Sequence, residues 1–147
     1  MALPVETLQA AAQPTPAGRR RLQMNWTLTA GLVHSRGVTV VHAGHSHAYR
    51  LRRQSIELMT RNDTASSSRL SQYVGSGDVE PQVVEATACP GDVWLLCSNG
   101  LTDAIGVDGI IAAMSSGVSI YDAAGALAAL ARSAGNDDVA IAAFRIA

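Results

Sequence analysis

Two stretches of the chain place oxygen ligands directly behind apolar strands. The first is Gly91-Asp92-Val93-Trp94-Leu95-Leu96-Cys97-Ser98-Asn99-Gly100-Leu101-Thr102-Asp103, where an apolar run enters a small-residue turn and an amide, Asn99, stands where an acid would hold a metal. The second is Gly135-Asn136-Asp137-Asp138, followed by the apolar run Val139 to Ile146. Strands ending in turns rich in Asp and Asn converge such side chains at one end of a sheet, a common way to build a cation site. A third group is His42, His45 and His47, with His34 on the preceding strand. Imidazole suits zinc, nickel or copper, and His45 and His47 are spaced for one side of a turn. Ser98 has no histidine and acid at a recognisable partner spacing, so it is not read as a nucleophile. Gly75-Ser76-Gly77 lacks the lysine of a nucleotide-binding loop.

These groups sit in a chain of 147 residues, long enough for one domain with a real core. Hydrophobic residues make up 48% and charged residues 16%, an ordinary globular balance leaning apolar. The net charge of −1 argues against a general nucleic-acid binder, which needs a basic surface. Cys89 and Cys97 are too few for a disulfide framework or zinc ribbon and read as small buried hydrophobes on neighbouring strands. No apolar run approaches the ~18 residues of a membrane span, and the N-terminus lacks the pattern of a signal peptide. The expectation is a soluble cytoplasmic protein.

The elements that position these residues follow from period and punctuation. Residues 1–23 read as a short helix and a Pro-rich linker, with Pro14 and Pro16 in the latter. Strands are expected at Trp26–His34, Val38–His42, Ala48–Arg53, Gln82–Ala88, Val93–Ser98 and Val139–Ile146, and the first two are joined at Ser35-Arg36-Gly37. The continuous apolar run at 38–42 predicts a strand covered on both faces. Thr60 to Gly77 reads as a loop. Helices are expected at Val107–Ser116, with Ile110, Ile111 and Met114 on one side, and at Ser119–Ser133, with Ala123, Leu127, Leu130 and Ala131 inward and Ser119 as N-cap. Asp103 reads as the cap of the first helix. Trp26 and Trp94 are expected in the core with their indole N–H groups satisfied at the sheet rim. Strands, then helices, then a strand predict an α+β domain with helices on a mostly antiparallel sheet or sandwich.

The order of motifs resembles the protein phosphatase 2C (PPM-type) family, its bacterial branch above all. Trp26 to Val33 and Val41 to Leu51 are similar to the family's stretch ending "VHVGDSRAYLLR". Ile56 to Asp63 is similar to the segment after it, Pro90 to Asp103 to "GDRLLLCSDGLTD", and Gly135 to Val139 to the closing "GSRDNIT". The resemblance covers 24–147, the second part of the family's domain only. It implies an α+β, phosphatase 2C-like β-sandwich flanked by helices, N-terminally truncated. In the family, two Mg²⁺ or Mn²⁺ ions activate a bridging water that attacks phosphoserine or phosphothreonine on proteins.

Carried over position by position, the resemblance leaves a thin ligand set. Asp137 matches the family's last metal-binding aspartate. Asn99 falls on the aspartate of "SDG", and an amide brings oxygen without charge. His45 stands at the aspartate of "GDSR", with His47 at the following arginine. The bridging aspartate of an N-terminal "DGxGGH" motif and the phosphate-contacting arginine have no counterpart in residues 1–23, where Glu6 is the single acid. The histidine cluster then has a second reading, an acidic turn that drifted once catalysis was lost. The expected protein is a phosphatase-like chain, degenerate and weakly active or inactive alone. Its partner would be a phosphoprotein or another protein, and a bare sheet edge predicts homo-oligomers. The alternatives are an enzyme completed by an N-terminal half, a non-catalytic binding module, and a non-functional fragment.

Overall fold

A computed structural model describes residues 27–53, 55–61, 80–135 and 138–147. The expected N-terminal helix and linker, Trp26, the loop from Thr64 to Gly77, and Asp137 lie outside the described residues. Strand β1 (Leu28–His34) and β2 (Gly37–Ala43) form a hairpin across Ser35-Arg36. Gly37 has φ 144°, and a Cβ there would stand 2.1 Å from the Ala86 carbonyl oxygen, so the hairpin can close against the next strand only with glycine. Strands β3 (His47–Arg52) and β4 (Ser55–Leu58) form a second hairpin. Strand β5 (Gln82–Ala86), β6 (Val93–Cys97), helix α1 (Asn99–Met114), α2 (Ile120–Ala134) and β7 (Ile141–Arg145) complete the order.

The strands divide into two antiparallel sheets, ordered β1-β2-β5 and β4-β3-β6-β7. Side chains alternate across each strand, so each sheet offers two faces. Val38 and Val40 of β2 meet Ala48 and Trp94 of the opposite sheet in one core, with Phe144 stacked on Trp94. Tyr49, Leu95 and Cys97 point the other way, into a second core with Leu101, Ile110, Leu127 and Ala131 of the helices. Strand β6 therefore lies between two cores, which is why Val93 to Cys97 reads as an unbroken apolar run. Full burial of side chains such as Leu127 and Ile110 stabilises the helix layer by roughly 1.5–3 kcal/mol each.

Several expectations need correction. The strand covered on both faces is β6; β2 is fully buried on its inner face, whereas Thr39 and Val41 are half-buried. Helix α1 starts at Asn99, and a break at Gly106 (φ 66°, ψ 175°) divides it, so the expected start at Val107 is its second segment. Asp103 sits within this helix and does not cap it. Strand β4 was not anticipated as a strand. In α2, Ser119 caps as expected by accepting from the Asp122 N–H at 3.1 Å, but Leu130 faces solvent. Cys89 is exposed in the turn before β6, and only Cys97 is a buried hydrophobe. Trp94 lies in the centre of the sandwich, and its indole N–H has no hydrogen-bond partner among the described residues.

The helices cover one sheet. The outer face of β1-β2-β5 carries Leu32 and Val83, 56% and 59% exposed, with no helix against it among the described residues.

Candidate functional site

The ends of β2, β3 and β6 and the start of α1 meet at one pole of the sandwich. His47 opens β3 and pairs with Cys97, the last residue of β6; two residues later Asn99 begins α1. The closing segment reaches the same place: the Ser98 N–H donates to Ala140 O (3.0 Å), and Ser98 Oγ accepts from the Ala140 N–H (3.0 Å) and donates to Asp138 O (3.3 Å). The two stretches singled out from the sequence are thus side by side.

The turn between β2 and β3 is held tightly. Thr29 Oγ1 lies 2.8 Å from His42 Nδ1 and 2.7 Å from Ser46 Oγ, joining β1, β2 and the turn through one hydroxyl. Gly44, at φ 111°, passes so close to Thr27 that a Cβ would stand 2.5 Å from its methyl carbon. His42 is fully buried within this network. No spacing in the sequence marks a contact between residues 13 apart on different strands, so Thr29 and Ser46 escaped the sequence reading.

The histidines do not form one group on one side. His45 is half-buried in the turn, whereas His47 lies in β3, 6% exposed, its ring tilted on Tyr49 with centroids 5.9 Å apart. His47 Nδ1 has no hydrogen-bond partner among the described residues. Burial lowers the His47 pKa, the neighbouring His42 and His45 lower it further, and the Asp103 carboxylate opposes them. His47 is accordingly a neutral side chain of the helix–sheet core. The Cys97 thiol beside it is pushed up to about 12 by burial and is no nucleophile at neutral pH.

Asn99 is engaged as well: its Nδ2 donates to Asp103 Oδ2 at 3.0 Å, one helical turn on. Among the described residues no group of three or more His, Cys, Asp or Glu side chains is placed to hold a metal ion. Asp138 is exposed, and the position of Asp137 is not described. The described groups at the pole are the Asn99 amide, the Asp103 carboxylate already bonded to it, the exposed Asp138 and the His45 imidazole, and they form no cluster that fits a pair of hard divalent cations, which call for several converging carboxylates.

This architecture has close counterparts. The crystal structure of the serine/threonine phosphatase PstP/Ppp of Mycobacterium tuberculosis superposes with a TM-score of 0.82 at 26% identity, over 97% of this chain and 67% of that one. The chain is related to the PPM-type Ser/Thr protein phosphatases. The PPM Ser-Thr phosphatase MsPP of Mycobacterium smegmatis, crystallised with cacodylate, superposes with a TM-score of 0.73 at 26% identity over 82% of this chain and 62% of its own. In sequence, curated PstP of Mycobacterium tuberculosis is 29% identical in an alignment 110 residues long that covers 62% of this chain. The chain spans 21% of the length of the curated relatives it matches. No family model matches the sequence. A PstP catalytic domain has been crystallised in complex with two manganese ions, and it superposes on this chain with a TM-score of 0.80 at 26% identity. The α+β, phosphatase 2C-like fold is the one that the motif order implied. No helix among the described residues is long and apolar enough to cross a membrane.

Proposed function

We propose that this chain is a degenerate PPM-type phosphatase unit, a cytoplasmic pseudophosphatase of bacterial type, which engages a phosphoprotein or a protein partner with little or no turnover of its own. The observation that carries this reading is the tie between Asn99 and Asp103. At the pole of the sandwich an amide stands where the resemblance expects a carboxylate, and a neighbouring acid already occupies its N–H. His45 in place of a second acid supports the same reading. Asp137, Asn99 and His45 together would hold at most one loosely bound Mg²⁺ or Mn²⁺. The ancestral reaction, metal-dependent hydrolysis of phosphoserine or phosphothreonine on proteins, is then weak or absent.

The test is phosphate release from a phosphoserine peptide with and without Mn²⁺, for the wild type and for Asn99→Asp. Neither protein is expected to show robust turnover. Brisk hydrolysis that chelator abolishes, in the wild type, would overturn the proposal. A second reading, an enzyme completed by another segment, is favoured by one observation: the chain superposes on only 67% of the PstP chain, and among the described residues no helix lies against the outer face of one sheet. Supplying the remaining third of such a domain as a separate polypeptide separates the two, since only the second reading expects activity to appear.

A further inference from the structure

At the opposite end of β3 from His47, about 17 Å away at ~3.4 Å per residue, three arginines gather under the β3–β4 hairpin. A depression of about 440 Å³ is lined by Arg50, Arg52, Arg53, Ser55 and Glu57. Two of the guanidinium groups are held in place by their own partners. Arg52 donates Nε to Asp92 Oδ1 (2.8 Å) and one terminal nitrogen to Asp92 Oδ2 (2.7 Å) and Thr87 O (3.0 Å). Asp92 is itself buried and also accepts from the Cys89 N–H at 2.8 Å. Arg50 pairs with Glu57 and donates to Thr87 O at 3.3 Å.

Arg53 is different. It has no ion-pair or hydrogen-bond partner among the described residues, and its φ of 55° makes it the one non-glycine residue there in the left-handed region. A long cationic side chain is an unusual occupant of that conformation, which Gly and Asn take at less cost. Three guanidinium charges against the carboxylates of Glu57 and Asp92 leave one positive charge unmatched at the rim. A planar guanidinium fork with its neighbours already oriented suits a tetrahedral oxyanion, which accepts two parallel N–H bonds.

We propose that this depression binds a phosphate-type oxyanion, with Arg53 as its anchor and the free N–H groups of Arg50 and Arg52 and the Ser55 hydroxyl as further donors. Two sources share that chemistry: free inorganic phosphate, and the phosphoryl group of a phosphorylated protein. The site stands whether or not the chain hydrolyses anything, so its test is separate from that of the catalytic reading.

The full chain, labelled with ¹⁵N, is titrated at constant ionic strength with inorganic phosphate, a phosphoserine peptide and the same peptide unphosphorylated. Saturable shifts are expected at residues 50–57, and not for the unphosphorylated peptide. Tighter binding of the phosphopeptide than of inorganic phosphate identifies the protein-borne group as the ligand; the reverse order identifies the free ion. Arg53→Gly suits the left-handed backbone and keeps the fold, yet should weaken binding about tenfold, the loss of one charge-assisted pair. Arg132→Ala, on α2, should leave it unchanged. Absence of saturable shifts at residues 50–57 in the wild type, or equal affinity in Arg53→Gly, overturns the proposal.

Discussion

At the scale of single residues the pole of the sandwich is decided by which groups are already engaged. Asn99 and Asp103 are four apart on α1 and bonded to each other. Replacing Asn99 with Asp sets two carboxylates at that spacing, which costs about 0.5 kcal/mol, while the positive end of the helix returns a similar amount. Asn99→Asp is therefore expected to melt within about 0.5 kcal/mol of the wild type and to gain no Mn²⁺-dependent phosphatase activity. Calorimetry and a phosphopeptide assay on the same preparation check both halves. Asn99 and His45 stood out in the sequence because they interrupt a motif that asks for acid. The role of His47 did not, because burial against Tyr49 depends on where α1 lands, and a break at Gly106 concealed where that helix begins.

Among the elements, β6 and the two hairpins do most to order the fold. Period and turn residues were enough to recover β1, β2, β3, β5, β6, β7 and α2 within a few residues. Strand β4 was missed because Ile56 to Leu58 is short, flanked by polar residues, and gains its order from pairing with β3. The arginine cluster was hidden for another reason: the expected strand already set Arg50 and Arg52 on one face, but their partners Thr87 and Asp92 lie some forty positions away. The Arg52–Asp92 pair anchors β3 to the turn before β6. The Arg52 guanidinium, chiefly, and the Cys89 N–H hold the Asp92 carboxyl below the usual carboxylate range. A depressed carboxyl favours the fold fully above its unfolded value of about 3.9, and that contribution disappears as pH falls through the folded value. Asp92→Ala should cost about 2 kcal/mol at pH 7, and this difference from the wild type should shrink as denaturant melts are repeated from pH 5 downwards. On the alkaline side, burial pushes both Cys97 and Tyr49 up to about 12, so stability should decline as pH climbs past about 9 toward that value.

Among the described residues the sandwich carries helices on one side alone. Leu32 and Val83 on the outer face of β1-β2-β5, with Ala30 beside them, form an apolar surface of the kind that pairs or aggregates when left open. We propose that the homo-oligomer expected from a bare sheet edge forms through this face. Replacing both Leu32 and Val83 with Lys should shift the protein toward monomer in light scattering after gel filtration, with a melting temperature close to that of the wild type, because neither side chain contributes to a core. A wild-type chain that is already a clean monomer at micromolar concentration would count against the proposal.

Unequal cover also means unequal endurance. Backbone amides of β3 and β6 lie beneath α1 and α2 and can exchange with solvent only when that layer lifts, whereas among the described residues no helix shields the outer side of β1, β2 and β5. The thinner sheet is thus the soft half of the molecule, the part that opens first under urea and exchanges its amide protons soonest in deuterated buffer.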